Sequence, residues 1–174
     1  MANPRAYFIT FTCYGSHLHG DESGSVDRYH NVFGAPRLEP DPARLNATKK
    51  LMERAPYFLD APGRRTVLAA IQEVCAHRAW KLIAAHVRTT HVHVVVEADC
   101  PPEAVMYDFK FYATRRLNQR QEPRSKHWAR HGSTRYLWKD DDVVGAAEYV
   151  IMRQGEPMAV FPVLDSRSVA KTAP

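Results

Sequence analysis

Two apolar runs separated by three residues constrain this chain most. Trp80–Val87 (WKLIAAHV) and His91–Ala98 (HVHVVVEA) read as strands, with Arg88-Thr89-Thr90 as the only link between them. A link that short makes an antiparallel hairpin, because a parallel crossover needs a dozen residues or more. Side chains alternate along a strand, so His91 and His93 project from one side. Val92, Val94 and Val96 then turn to the other, where a helix-packed core is expected.

The remaining elements arrange themselves around that hairpin. Tyr7–Tyr14 is rich in β-branched and aromatic residues and ends at Gly15, which predicts a strand. From Gly15 to Pro42 the composition is Gly, Pro, Asp and Ser without a period, so 15–42 reads as a long loop. A short helix is expected over Ala43–Ala55. A longer one follows Pro62, with Val67, Leu68, Ile71, Val74 and Cys75 at helical spacing. Pro101-Pro102-Glu103 opens a helix running to about Asn118, and Thr134–Trp138 is a short strand candidate. Asp140-Asp141-Asp142 supplies an N-cap and an acidic first turn for a last helix, which Gly155 and Pro157 stop.

The order β, α, β, β, α, β, then a helix, fits a ferredoxin-like α+β fold. That fold is a four-stranded antiparallel sheet with helices on one face, here with an added C-terminal helix. A length of 174 residues suits one domain, 1–174, with 162–174 as a flexible tail. Apolar residues at 45% and charged residues at 25% exclude wholesale disorder. No apolar run approaches the ~20 residues that cross a bilayer, and Tyr7–Tyr14 is too short for a signal sequence. Three cysteines without a CxxC pair argue against a disulfide framework or a cysteine-based zinc site. A reducing cytoplasm is the expected location.

Charge is concentrated. Lys110, Arg115, Arg116, Arg120, Arg124, Lys126, Arg130, Arg135 and Lys139 share one stretch with a single acid, Glu122. The chain carries +5 in all, so the remainder is net negative. Such a segment suits a phosphate-rich partner, and it equally suits a solvated helix face. Tyr112, Trp128 and Tyr136 are interleaved with it, as in surfaces that stack unpaired bases. Trp128 and Trp138 have an alternative use as core anchors.

Two neutral imidazoles two residues apart on a strand can hold one divalent metal. A bare HxH pair is common by chance, but this strand is polar at little besides those two places, which favours a shared role. His17-Leu18-His19 is a second such pair, in a loop, where solvated side chains are the simpler reading. His86 reads as half-buried structure. Tyr149 stands in the last helix among Gly145, Ala146, Ala147 and Val150. It is a packing residue unless it meets the histidine pair, in which case its hydroxyl is a usable nucleophile.

With these residues in view, the sequence resembles the single-tyrosine HUH transposases, the REP-associated tyrosine transposases in particular. His91-Val92-His93 resembles the HUH motif. Tyr136-Leu137-Trp138 and Glu148-Tyr149-Val150-Ile151 are similar to the family's last strand and catalytic helix. Phe8-Ile9-Thr10-Phe11-Thr12-Cys13-Tyr14-Gly15 and Leu18-His19-Gly20-Asp21 are similar to its N-terminal part, so the resemblance spans Tyr7–Phe161.

The resemblance implies an enzyme that cuts and rejoins single-stranded DNA flanked by hairpins or inverted repeats. It implies Mg²⁺ or Mn²⁺ on His91, His93 and a third polar ligand. Tyr149 is implied as the nucleophile, giving a 5′-phosphotyrosine link and a free 3′-OH. Dimerisation through the strand surface is implied by resemblance only. Lys110, Arg115, Arg116, Arg120, Arg130 and Arg135 are the expected DNA contacts.

One position departs from the family, which places Gln or Asn one turn after the tyrosine. Here that place holds Arg153, which cannot bind a metal, and whose guanidinium instead suits a DNA phosphate. Gln154 has the right chemistry but lies about 140° from Tyr149 around a regular helix. It becomes the third ligand if the helix widens by a residue or ends before Gly155. If neither holds, a non-cleaving DNA-binding protein on the same fold is the better reading. A metal-dependent phosphoesterase acting on RNA or nucleotides is a further alternative. It would not need Tyr149, and the paired HxT or HxS motifs of two-histidine phosphoesterases are missing.

Overall fold

A computed structural model describes residues 3–18 and 39–162. Most of the loop assigned to 15–42, with His19, Gly20 and Asp21, lies outside the described residues. So does the tail beyond residue 162. The elements are β1 (Ala6–Cys13), α1 (Pro42–Lys50), α2 (Ala61–Arg78), β2 (Lys81–Val87) and β3 (His91–Glu97). They continue as α3 (Pro102–Arg120), β4 (Trp128–Leu137), α4 (Asp140–Met152) and β5 (Ala159–Phe161). The sheet runs β4-β1-β3-β2-β5 with every neighbour antiparallel. Its first four strands have the ferredoxin-like order. Among the described residues, no helix is long and apolar enough to cross a membrane.

The sheet is covered on both faces, and alternation decides which residue serves which face. Ile9 and Phe11 of β1, with Val92, Val94 and Val96 of β3, meet Val67 and Ile71 of α2 and Phe109 and Leu117 of α3. Phe8, Ala84, Val95 and Leu137 face the other way, against Ala146 and Val150 of α4. Ala146 and Val150 are the only buried residues of α4. A fully buried valine contributes roughly 1.5–3 kcal/mol, and Val143, Ala147 and Ile151, partly buried against the same cluster, add to the hold on this helix.

Four expectations are corrected. The helix placed over Ala43–Ala55 stops at Lys50. The strand placed at Thr134–Trp138 begins at Trp128. Trp128 anchors the extra residues: its ring packs edge-on against Phe11, and its indole N–H donates to the Lys110 carbonyl and the Thr114 hydroxyl. The N-cap of α4 is Lys139, not Asp140. The three aspartates occupy the first turn, and Asp142 accepts from the Lys139 N–H. β5, three residues long, was not expected at all.

His127 stands buried at the entrance to β4, its ring edge-on to Tyr57. The Gln121 amide donates to its Nε2, which leaves the proton on Nδ1. Burial, reinforced by the Arg124 guanidinium, pushes its pKa down to about 4. The unfolded ring titrates near 6.5, so between those pH values only the unfolded chain takes up this proton. Its contribution is complete above about 6.5 and is lost as the pH falls towards 4. His127→Phe should therefore lose about 2 kcal/mol less than the native chain between pH 7 and 4.5. Urea midpoints across that range check this; parallel curves would contradict it.

Candidate metal and nucleophile site

The site lies on the α4 face of the sheet. Antiparallel register sets Thr10 beside His93 and His93 beside His86, one row across β1, β3 and β2. His91 lies one step along β3, opposite Thr12. The two rings of the HxH pair are 4.8 Å apart between centroids. His93 is buried, while His91 is partly open.

Both rings are held from behind by threonine hydroxyls. Thr10 Oγ1 is 2.8 Å from His93 Nδ1, and Thr90 Oγ1 is 3.0 Å from His91 Nδ1. With Nδ1 engaged in each case, Nε2 is the nitrogen left for a ligand. Burial, then the neighbouring His17, lowers the His91 pKa to about 4. Burial, then His91 and His86, lowers the His93 pKa to about 3. Arg88 adds to both shifts, and the Gln154 side chain opposes both. At neutral pH both rings are uncharged, the form that binds metal.

Gln154 reaches the pair because α4 ends early. The helix stops at Met152, Arg153 is its C-cap, and Gly155 takes φ +76°. A left-handed φ of that kind suits glycine and turns the chain back. The Gln154 amide nitrogen donates to the Tyr149 carbonyl, 3.2 Å away, which leaves its oxygen as the free end. Its side chain stands near enough to His91 and His93 to oppose the lowering of both pKa values. Among the described residues, no group of three His, Cys, Asp or Glu is arranged to hold a metal. The donor set on offer is thus two neutral imidazoles and one amide oxygen, which fits a divalent cation.

Tyr149 meets the pair. Its ring is 6.0 Å from His93 and 6.0 Å from Phe8, edge-on to both. It is 39% exposed, and among the described residues its hydroxyl makes no hydrogen bond. Phe8 packs on His93 as well, at 5.7 Å, and so fixes the tyrosine against the histidines.

Several residues were not expected here. Phe8, Thr10 and Thr90 support the site, and their only sequence signal is alternation along strands whose register one sequence does not reveal. His17 is not simply solvated: its ring is 5.5 Å from His91, and its Nε2 is 3.5 Å from Thr90 Oγ1. Arg88 bonds the Glu156 carbonyl at 3.0 Å.

The expected DNA contacts separate into two groups. Lys110 is turned inward, donating to the carbonyls of Ala129 and His131, and burial lowers its pKa to about 8. Its ammonium serves the irregular start of β4, which corrects its expected role. Arg116 pairs with Glu73 at 2.5 Å, and Arg120 holds both Asp60 oxygens at 2.7 Å. With Arg115 they belong to the α2–α3 side, across the sheet from Tyr149. Arg135 pairs with Phe8 in register and so lies on the Tyr149 face. Arg130 lies on the edge strand β4, and Arg153 is exposed beside Gln154.

The aromatic residues also divide. Trp128 is an anchor, whereas Tyr136 stacks on exposed Trp138 at 6.0 Å. A second exposed pair, Tyr107 and Phe111, stacks at 6.2 Å on α3.

The family model described as "Transposase IS200 like" matches residues 51–148, more than half of the chain. That span includes His91 and His93 and stops one residue before Tyr149. No curated protein matches. A solved structure of a REP-associated tyrosine transposase bound to a REP hairpin aligns with 12% identity and a TM-score of 0.49. The alignment covers 87% of this chain and 67% of that one.

Proposed function

The chain belongs to the IS200-like transposase family, and on that premise we propose that it cleaves and rejoins single-stranded DNA through Tyr149. The observation that carries this reading is the meeting of Tyr149, His91, His93 and Gln154 on one face of the sheet.

His91, His93 and Gln154 are the residues that would hold Mg²⁺ or Mn²⁺. A bound cation there offsets the charge of the scissile phosphate, which otherwise repels a nucleophile. Thr10 and Thr90 keep Nε2 of each histidine turned outward. Phe8 and His93 orient the Tyr149 ring. The Tyr149 oxygen loses its proton to solvent and attacks phosphorus, the P–O3′ bond breaks, and the 3′ oxygen takes a proton from solvent and leaves as a hydroxyl, so no net proton is consumed. The new phosphotyrosine ester conserves the bond free energy, so a 3′-OH can reverse the step without ATP.

The partner on this reading is single-stranded DNA with hairpin or inverted-repeat flanks. Arg153, beside Gln154, and Arg135, on the Tyr149 face, contact its phosphates. Arg153→Ala should weaken binding and make the slope of log K against log salt shallower by about 0.7, one single-strand phosphate. An unaltered slope would remove Arg153 from the DNA path.

The test is a panel of labelled single strands incubated with the protein and Mn²⁺ and read on a denaturing gel. A covalent protein–DNA band is expected. Binding without any such band would favour the non-cleaving reading.

A further inference from the structure

The loop that carries Gln154 is fastened at both ends by one buried side chain, His86. His86 is fully buried on β2, directly opposite His93. Its Nδ1 lies 3.1 Å from the Val150 carbonyl, and its Nε2 lies 3.2 Å from the Met158 N–H. Since Nε2 must accept from that N–H, the ring proton is on Nδ1 and is donated to Val150. Val150 is in the last turn of α4, next to Tyr149, where carbonyls lack helical partners. Met158 is where the chain rejoins the sheet just before β5. One imidazole therefore closes the segment from 150 to 158, with Gln154 at its middle.

Other contacts support the closure without replacing it. Arg88 bonds the Glu156 carbonyl, and the Thr89 hydroxyl approaches the Met158 sulfur at 3.7 Å. Both lie in the β2–β3 link, at the outer side of the loop. Among the described residues, only His86 hydrogen-bonds both the helix end and the re-entry point. A histidine suits this place because its two nitrogens point apart, one donating and one accepting.

We infer that His86 is a positioning residue for the metal centre: it sets where the Gln154 oxygen stands relative to His91 and His93. Because His86 and His93 are paired in register, the loop is referenced to the same sheet row that carries the second histidine. This role rests on the reading of His91, His93 and Gln154 as ligands.

The test is Mn²⁺ binding, followed by electron paramagnetic resonance without DNA, in a two-residue cycle. Native protein, His86→Leu, Gln154→Ala and the double variant are compared, each with its thermal midpoint. Outer-shell partners of a metal site typically change affinity about 10–100-fold. His86→Leu should weaken Mn²⁺ binding by at least about 10-fold. In the Gln154→Ala background the same change should have almost no further effect on Mn²⁺, because the oxygen it positions is gone. A merely structural histidine would lower the thermal midpoint yet shift Mn²⁺ affinity equally in both backgrounds, and that result would overturn the inference.

His86→Asn, which is too short to bond both ends of the loop, serves if His86→Leu does not fold. It too should weaken Mn²⁺ binding, and affinity equal to the native protein would count against the role. Native protein that binds Mn²⁺ with no sensitivity to Gln154→Ala would overturn the ligand reading and this inference together. Sensitivity to Gln154→Ala without sensitivity at His86 would overturn this inference alone.

Discussion

Tyr149→Phe should fold, bind single-stranded DNA as the native protein does, and form no covalent adduct. The substitution removes one oxygen that makes no hydrogen bond among the described residues and keeps the ring against Phe8 and His93. Removing a nucleophile typically lowers the rate by roughly 10⁴-fold or more, so the adduct should fall below detection. Adduct formation at the native rate would sink the assignment. Tyr112 and Tyr136 would then be the alternatives, although both belong to the other face of the sheet.

The second large effect is expected at the histidines, and the structure separates the two. Both His91→Ala and His93→Ala should abolish cleavage and reduce Mn²⁺ affinity by roughly 100-fold or more, since even outer-shell changes reach that range. Their effects on stability should differ. His91 is partly open, so His91→Ala should leave the thermal midpoint close to native. His93 is buried beneath α4 between Phe8 and Tyr149, so His93→Ala empties a packed site. A loss of about 1–3 kcal/mol is expected there. His93 thus packs under α4 as well as facing the same side as His91. Urea titrations and Mn²⁺ binding on the same samples check both statements. Native Mn²⁺ affinity in His91→Ala and His93→Ala would remove the metal site.

Much of the site could be read from the chain because it is built on alternation. His91 and His93 share a strand face whatever surrounds them, and a three-residue link leaves the hairpin no other topology. The Gln154 problem shows where such arithmetic ends. Its 140° offset is correct for a helix, but the helix ends at Met152, and a turn obeys different geometry. The first half of β4 was hidden because Trp-Ala-Arg-His-Gly-Ser has no period of two. It is a strand through the contacts of Trp128 with Phe11 and α3, 14 to 18 residues and more away.

The basic stretch misled for another reason. Composition counts cations, while only the fold shows that Lys110 is spent on backbone carbonyls and that Arg116 and Arg120 face acids. His17 depends on a left-handed backbone turn, φ +52°, which nothing in His-Leu-His announces. β5 is three residues long, too short for any pattern, and its place beside β2 follows from the chain's return after α4.

The row that begins at Thr10, passes through His93 and His86 and reaches Tyr149 by way of α4 also has a consequence for synthesis. Its members enter the growing polypeptide far apart in time, the threonine 83 positions ahead of the histidine it supports. A ribosome that has completed β3 has made Thr10, His86 and His93 but not Tyr149. The β1–β3 pairing can form before α4 exists, and the last helix then covers a face already in register. A product terminated before Asp140 would carry the histidine pair without Tyr149, so on the proposed reading strand cutting waits until α4 has been made.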